Sequence, residues 1–154
     1  VFGNDVNTEI DNDEVTKSDS TEEYAREEIE QKLGVKMPRF FYFPEGMKYD
    51  SYTIDEKAHT AIIMYNYNEQ VIYFFVTANN ESATGGSQSD SGRKLYDVQS
   101  KYTSSLKSEM WEIVEEGDTE PTYALQWKHL NVYYELIGKI SEEDMELIGE
   151  QIMY

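Results

Sequence analysis

The C-terminal stretch VYYELIGKI (residues 132–140), followed by SEEDMELIGEQI (residues 141–152), decides how this chain folds. The first segment is rich in β-branched and aromatic residues, which favour a strand. Ser141 is placed to cap a helix, with Asp144 three residues later, close to the spacing of a capping box. The sequence therefore predicts a strand followed by a docked C-terminal helix.

A second segment predicts the centre of a sheet. Two apolar runs, residues 61–67 and 71–76, flank Asn68-Glu69 and predict a β-hairpin with a two-residue turn. If Tyr67 pairs with Gln70, one side of the hairpin is wholly apolar and the other is nearly so. The first side holds Ala61, Ile63, Tyr65, Ile72, Phe74 and Val76, and the second holds Ile62, Met64, Val71, Tyr73 and Phe75. Strands of this kind lie mid-sheet and are covered, at least in part, on both faces.

The remaining chain supplies one more helix and several strands. Ser20 is the predicted N-cap of the first helix, with Glu23 in the capping-box position and Gly34 as its stop. Its apolar stripe is Ala25, Ile29 and Leu33. Further strands are predicted at residues 40–43, 47–54, 95–103, 108–116 and 122–128, the last with Tyr123, Leu125 and Trp127 facing the core. We predict an α+β fold, a twisted antiparallel β-sheet of about six to eight strands flanked by an N-terminal and a C-terminal helix.

The charge is concentrated at the start of the chain. The 154 residues have a net charge of −18, and residues 1–30 hold eleven acidic against two basic side chains. Residues 1–19 are polar and without periodicity, so we predict a disordered acidic tether before a single domain at residues 20–154. A phosphate backbone would be repelled, which argues against nucleic acid as a partner. Because the sequence starts at Val1 rather than Met, we expect a membrane segment or signal peptide upstream.

No motif with specific chemistry stands out. There is no Cys, and the two histidines, His59 and His129, fall at predicted strand ends. Asp11-Asn12-Asp13-Glu14 lacks the glycine of a calcium loop. Gly92-Arg93-Lys94, which begins at the last residue of the predicted low-complexity loop 79–92, lacks the spacing of a phosphate loop. The acidic pairs Glu115-Glu116 and Glu142-Glu143 fit a turn and a first helical turn. We therefore assign no catalytic, metal-binding or cofactor-binding residues and expect no cofactor.

The abundant aromatic residues leave two possibilities open. The 13 tyrosines could form an aromatic face for peptides or sugars, or they could be core and cross-strand pairs. A carrier of an apolar ligand would need a cavity lined by residues such as Phe41, Tyr65, Phe74 and Trp127.

The order of elements resembles a known family. A helix ending in Leu33-Gly34, the segments MPRF (37–40) and FPEGM (43–47), the strand YYELIG (133–138) and the helix opened by Ser141 resemble the domain of unknown function 4367, DUF4367. The resemblance covers about residues 21–154. It implies an antiparallel sheet with flanking helices, in the extracytoplasmic part of a membrane-anchored protein of Gram-positive bacteria, the Firmicutes. It carries no catalytic residues to transfer.

Taken together, these features predict a non-catalytic, extracytoplasmic domain of the cell envelope that binds a peptide, a glycan or a protein partner. It would meet the membrane only through a segment absent from this chain. A carrier or sensor of an apolar small molecule is the first alternative. A hydrolase using carboxylates or His59 and His129 is the second, and it requires these groups to meet in a cleft.

Overall fold

A computed structural model describes the backbone of residues 14–16 and the whole of residues 21–78 and 92–154. Within these residues there are two helices, α1 (Glu22–Leu33) and α2 (Glu142–Glu150). The strands are β1 (Glu14–Thr16), β2 (Arg39–Phe40), β3 (Lys48–Asp55), β4 (Thr60–Tyr67), β5 (Gln70–Thr77), β6 (Gly92–Gln99), β7 (Lys107–Ile113), β8 (Thr122–His129), β9 (Val132–Gly138) and β10 (Ile152–Met153). None of the described helices has the length and apolar character needed to cross a membrane.

Seven long strands form one antiparallel sheet in the order β3-β4-β5-β9-β8-β7-β6, and the three-residue β1 adds to the β3 edge. β2 and β10 form a separate two-stranded ladder. The predicted α+β fold with an antiparallel sheet and two terminal helices is confirmed. Of the predicted tether, residues 1–13 and 17–19 lie outside the described residues, as do residues 79–91 of the predicted low-complexity loop. Gly92, which we placed in that loop, opens β6.

The β4–β5 hairpin has the predicted register. Tyr67 pairs with Gln70, Tyr65 with Ile72 and Ile63 with Phe74. Asn68 and Glu69 both have positive φ angles, 52° and 64°, which is the backbone that a tight two-residue hairpin turn requires. The hairpin lies inside the sheet, between β3 and β9.

Helix α1 begins one residue later than predicted. Thr21 is the N-cap, because its hydroxyl accepts a hydrogen bond from the backbone N–H of Tyr24. Gly34 ends the helix in the left-handed conformation, as predicted. The strand predicted at residues 40–43 is wrong in extent: β2 stops at Phe40, and the side chain of Phe41 is 52% exposed.

Helix α2 begins as predicted. The Ser141 hydroxyl accepts a hydrogen bond from the backbone N–H of Asp144 at 3.1 Å. Met145 and Ile148 are fully buried against the sheet. A side chain at Gly149 would meet Val98 at 2.9 Å, so the glycine allows α2 to approach the sheet closely.

The sheet has an inner and an outer face. The inner face packs against both helices and holds the core, including Tyr52, Ile63, Phe74 and Leu136. On the outer face of the hairpin, Ile62, Met64 and Phe75 are half-buried, whereas Val71 and Tyr73 are 42% and 39% exposed. The outer face of these strands is therefore covered only in part.

The half-buried pattern predicted for β8 is wrong at two outer-face positions. Ala124 and Gln126 are buried, although they alternate with the predicted core residues Tyr123, Leu125 and Trp127. β8 lies between β7 and β9, and the larger side chains of Trp111 and Glu135 stand beside Ala124 and Gln126 in the ladder. Position within the sheet, rather than alternation, decides their burial.

Candidate functional site

A groove on the outer face crosses three strands, and we call it the outer-face groove. Val71, Tyr73 and Phe75 of β5 form one wall, and Ile137 of β9 lies beside them, paired with Tyr73. Two charged side chains, Glu135 and Lys139, also line it. Its volume is about 430 Å³, within the range of small-molecule and side-chain pockets.

An aromatic pair stands at the wall of the outer-face groove. Tyr73 and Phe75 are two residues apart on β5, so both rings point to the outer face. Their centroids are 5.8 Å apart and the planes are nearly parallel, at 20°. Because the Tyr73 side chain remains 39% exposed, the pair offers an apolar ring surface to a ligand.

A buried polar pair lies next to the aromatic rings. Glu135 is fully buried and Gln126 is 5% exposed, and the Gln126 Nε2 donates a hydrogen bond to the Glu135 Oε2 at 2.8 Å. Phe75 is the ladder partner of Glu135 on the other side. Buried carboxyl groups are uncommon unless they are paired, and this one also lines a groove. The sequence carried a signal for it, since Glu135 is the single charged residue in VYYELIG, but we assigned it no role.

Lys139 is held by groups of the β7–β8 connection and by Thr122, which also lines the groove. Its Nζ donates to the backbone oxygen of Glu120 at 3.0 Å and to the Thr122 hydroxyl at 3.2 Å, and it lies 3.5 Å from Asp118. A hydrogen bond from the backbone N–H of Glu115, together with Lys139, lowers the pKa of Asp118. Lys139 therefore serves to anchor the β7–β8 connection while its stem borders the groove.

The two histidines do not meet. His59 is exposed in the β3–β4 turn, and His129 ends β8. The residues next to the two histidines lie on β4 and β8, which are three inter-strand spacings apart. This separation is roughly 14 Å. His129 stacks on Tyr154 at 3.7 Å, and burial, followed by the nearby Lys36, lowers its pKa.

The acidic pairs also stand apart from the groove. Glu115 and Glu116 are exposed in the β7–β8 connection, and Glu142 accepts a hydrogen bond from the Tyr96 hydroxyl at 2.7 Å. Within residues 21–78 and 92–154, no three His, Asp or Glu side chains converge in a way that could hold a metal ion. In the described part of the chain, Glu115-Glu116 and Glu142 thus lie in separate places, away from the outer-face groove.

The residues suggested for an apolar cavity belong to the core. Tyr65 and Phe74 are fully buried and Trp127 is 4% exposed. Phe74 stacks on Trp127 and Tyr134, at centroid distances of 6.0 and 6.1 Å, and burial raises the pKa of Tyr134 to about 12. Phe41 lies elsewhere, on the surface against Tyr102. Among the described residues, the outer-face groove offers an apolar ligand another place to bind, and sequence reasoning did not locate it.

The comparisons with known proteins identify a family and nothing narrower. A family model described as "Domain of unknown function (DUF4367)" matches residues 37–152, which extend from the segment before β2 to the start of β10. No curated protein and no solved structure matches the chain.

Proposed function

This chain belongs to the DUF4367 family, and we propose that it is a non-catalytic, extracytoplasmic binding domain that holds a peptide partner in the outer-face groove. The observation that carries the proposal is an apolar groove in mid-sheet with exposed Val71 and the Tyr73–Phe75 ring pair at its wall. A patch of large, exposed apolar side chains on an acidic surface is typical of a binding site.

The lining favours a peptide over a glycan. Side chains of β5 and β9 present mostly hydrocarbon and ring surface, including Val71, Phe75 and Ile137. A sugar would need several polar partners for its hydroxyl groups, whereas an aliphatic or aromatic side chain needs only apolar area. Sheet faces and grooves of this size accommodate one or two side chains of an extended peptide.

The alternative of an apolar small-molecule carrier uses the same groove. It is favoured by the same hydrocarbon lining, and it predicts a ligand that stays with the protein through purification. Native mass spectrometry distinguishes the two: a retained small molecule of constant mass supports the carrier, and the bare chain mass supports a peptide site.

The extracytoplasmic location rests on the family resemblance and is tested apart from binding. We expect protease added to intact cells to cleave the domain in the full-length gene product, because the domain is proposed to lie outside the membrane. Cleavage of a cytoplasmic marker in the same cells is the control for lysis. Protection of the domain until lysis would contradict this part of the proposal.

The binding site is tested by panning phage-displayed peptides against the purified domain. Replacing Tyr73 by Ala should reduce the enrichment of binding peptides by about tenfold, since a desolvated aromatic anchor contributes over 1 kcal/mol. Tyr102→Ala is the matched control, because Tyr102 is 53% exposed but packs on Phe41, away from the groove. Equal loss in both variants, or no loss in either, would place the peptide site elsewhere.

A further inference from the structure

We propose that the outer-face groove recognises an aromatic side chain of the peptide, whose ring enters between Tyr73 and Val71 and extends the pair of rings on β5. This inference rests on the proposed peptide-binding function and specifies the chemistry of its anchor residue. It is carried by the position of an exposed ring next to an exposed valine, on the open side of two parallel rings.

Three successive outer-face side chains of β5 form the row on which the ring would stack. Val71, Tyr73 and Phe75 alternate with inward-facing residues, so all three point to the outer face. Phe75 lies on one side of the Tyr73 ring, with centroids 5.8 Å apart and an interplanar angle of 20°. On the other side along the strand is Val71, and the side chains of Tyr73 and Val71 are 39% and 42% exposed. The row of rings therefore ends at a position that is open to a ligand.

The spacing along β5 matches the thickness of one aromatic ring. Side chains two residues apart on an antiparallel strand are separated by roughly 6.8 Å, since each residue advances the chain by about 3.4 Å. A flat ring between Tyr73 and Val71 needs about 3.5 Å of contact distance on each side, or about 7 Å in total. A branched or chair-shaped aliphatic group is thicker and would have to lie above the gap. An aromatic ring can thus contact both residues at once.

The neighbouring strands supply apolar side walls to this gap. Met64 of β4 pairs with Tyr73 on one side, and Ile137 of β9 pairs with it on the other. Both side chains are half-buried, so a ring in the gap would also contact hydrocarbon and thioether surface. Ring–ring and sulfur–ring contacts are more favourable than the buried area alone predicts. These walls therefore favour an aromatic anchor over an aliphatic one of equal area.

The charged groups of the groove favour an uncharged anchor. Glu135 is fully buried and accepts the hydrogen bond from Gln126. Lys139 donates to the Thr122 hydroxyl and lies 3.5 Å from Asp118. Because both groups are already engaged, a charged anchor would lose its hydration without gaining an ion pair. An aromatic ring has no charge to desolvate and gains free energy from burial.

Three matched peptides test the inference by NMR titration of the domain labelled with ¹⁵N and with ¹³C in its valine methyl groups. Their sequence is acetyl-Ala-Ala-X-Ala-Ala-amide, in which X is Phe, cyclohexylalanine or Ala; the cyclohexyl group is similar in size to a phenyl ring but is neither flat nor aromatic. We expect the dissociation constant of the Phe peptide to be at least about threefold below that of the cyclohexylalanine peptide. The Ala peptide should bind more weakly than either.

The position of the ring has its own signal in the same titration. Protons above the face of an aromatic ring are shielded, so a phenyl ring seated against Val71 should shift the methyl protons of Val71 upfield. The cyclohexylalanine peptide has no ring current and should not produce this upfield shift. The test therefore reports both the preference for an aromatic ring and the place where that ring binds.

Two variants assign the preference to one ring of the groove. Tyr73→Leu retains an apolar side chain and should abolish the advantage of Phe over cyclohexylalanine. Tyr102→Leu makes the same change at an exposed tyrosine that packs on Phe41, away from the groove, and should preserve it. If Tyr73→Leu does not fold, the upfield shift of Val71 in the unsubstituted domain decides.

The failure of the inference and the failure of the proposed function give different results. Equal binding of the Phe and cyclohexylalanine peptides, or Val71 methyl signals that do not move upfield when the Phe peptide binds, would overturn the aromatic-anchor inference and leave the proposed function standing. No amide shift in β5 or β9 with any of the peptides would contradict the proposed function itself.

Discussion

Replacing Phe74 by Ala should lower the free energy of unfolding by about 3–5 kcal/mol, the usual cost of removing a buried aromatic ring. Phe74 is fully buried at the centre of the inner face. Its ring stacks on Trp127 and Tyr134 and makes a T-shaped contact with Phe40, at a centroid distance of 5.2 Å. One deletion therefore leaves a cavity bordered by three rings from β8, β9 and β2, and rings of that size relax poorly into an empty volume. Urea denaturation monitored by circular dichroism measures the change.

The adjacent residue provides a matched control. Phe75 follows on the same strand, but its side chain points to the outer face, where it is only half-buried. Phe75→Ala should therefore cost less than half as much as Phe74→Ala, because less apolar area is removed from contact. Equal costs would show that the outer face is as tightly packed as the inner one, which would remove the groove on which the proposed function depends.

Local patterns in the sequence predicted the parts of the fold that depend on neighbouring residues. The β4–β5 register follows from a two-residue turn and two apolar runs, and shifting it by one residue would turn Ile63 and Phe74 to the other face. The N-cap of α2 likewise follows from Ser141 and its place before an apolar periodicity. In both cases the decisive interactions lie within a few residues along the chain.

The error in the extent of β2 arose because a non-local contact decides it. In the run FFYF, Phe40 pairs with Ile152 in the β2–β10 ladder, whereas Phe41 faces water. The sequence contains the same residue type at both positions, so only the partner strand, more than a hundred residues away, separates them.

The outer-face groove could not be predicted because its walls come from strands that are distant in sequence. β9 inserts between β5 and β8, which brings Glu135 beside Phe75 on one side and Gln126 on the other. No periodicity states which strands become neighbours across a long connection. Among the groove residues, only Glu135 is conspicuous in the sequence, as one acidic residue within an apolar strand. Its neighbours can be identified only when the order of strands in the sheet is known.

Replacing Ile148 by Ala should lower the free energy of unfolding by about 2–5 kcal/mol, because Ile148 is fully buried where α2 meets the sheet. Replacing Ser141 by Ala, which removes the N-cap of the same helix, should cost only about 1 kcal/mol. The expected order follows from the length of α2, since nine residues are too few for a helix that is stable without tertiary contacts.

Denaturant melts of the two variants decide between packing and capping as the main source of stability in α2. Leu147→Ala is the control for helix propensity, because Leu147 is the preceding residue of α2 and is 37% exposed. If Ile148→Ala were as mild as Leu147→Ala, α2 would not be docked on the sheet in solution. Its polar contacts would then link it to the domain, among them the hydrogen bonds from the Tyr42 hydroxyl to Asp144 and from the Tyr96 hydroxyl to Glu142. A larger loss for Ile148→Ala than for Ser141→Ala means that the buried face of α2, rather than its cap, closes the fold at the C-terminus.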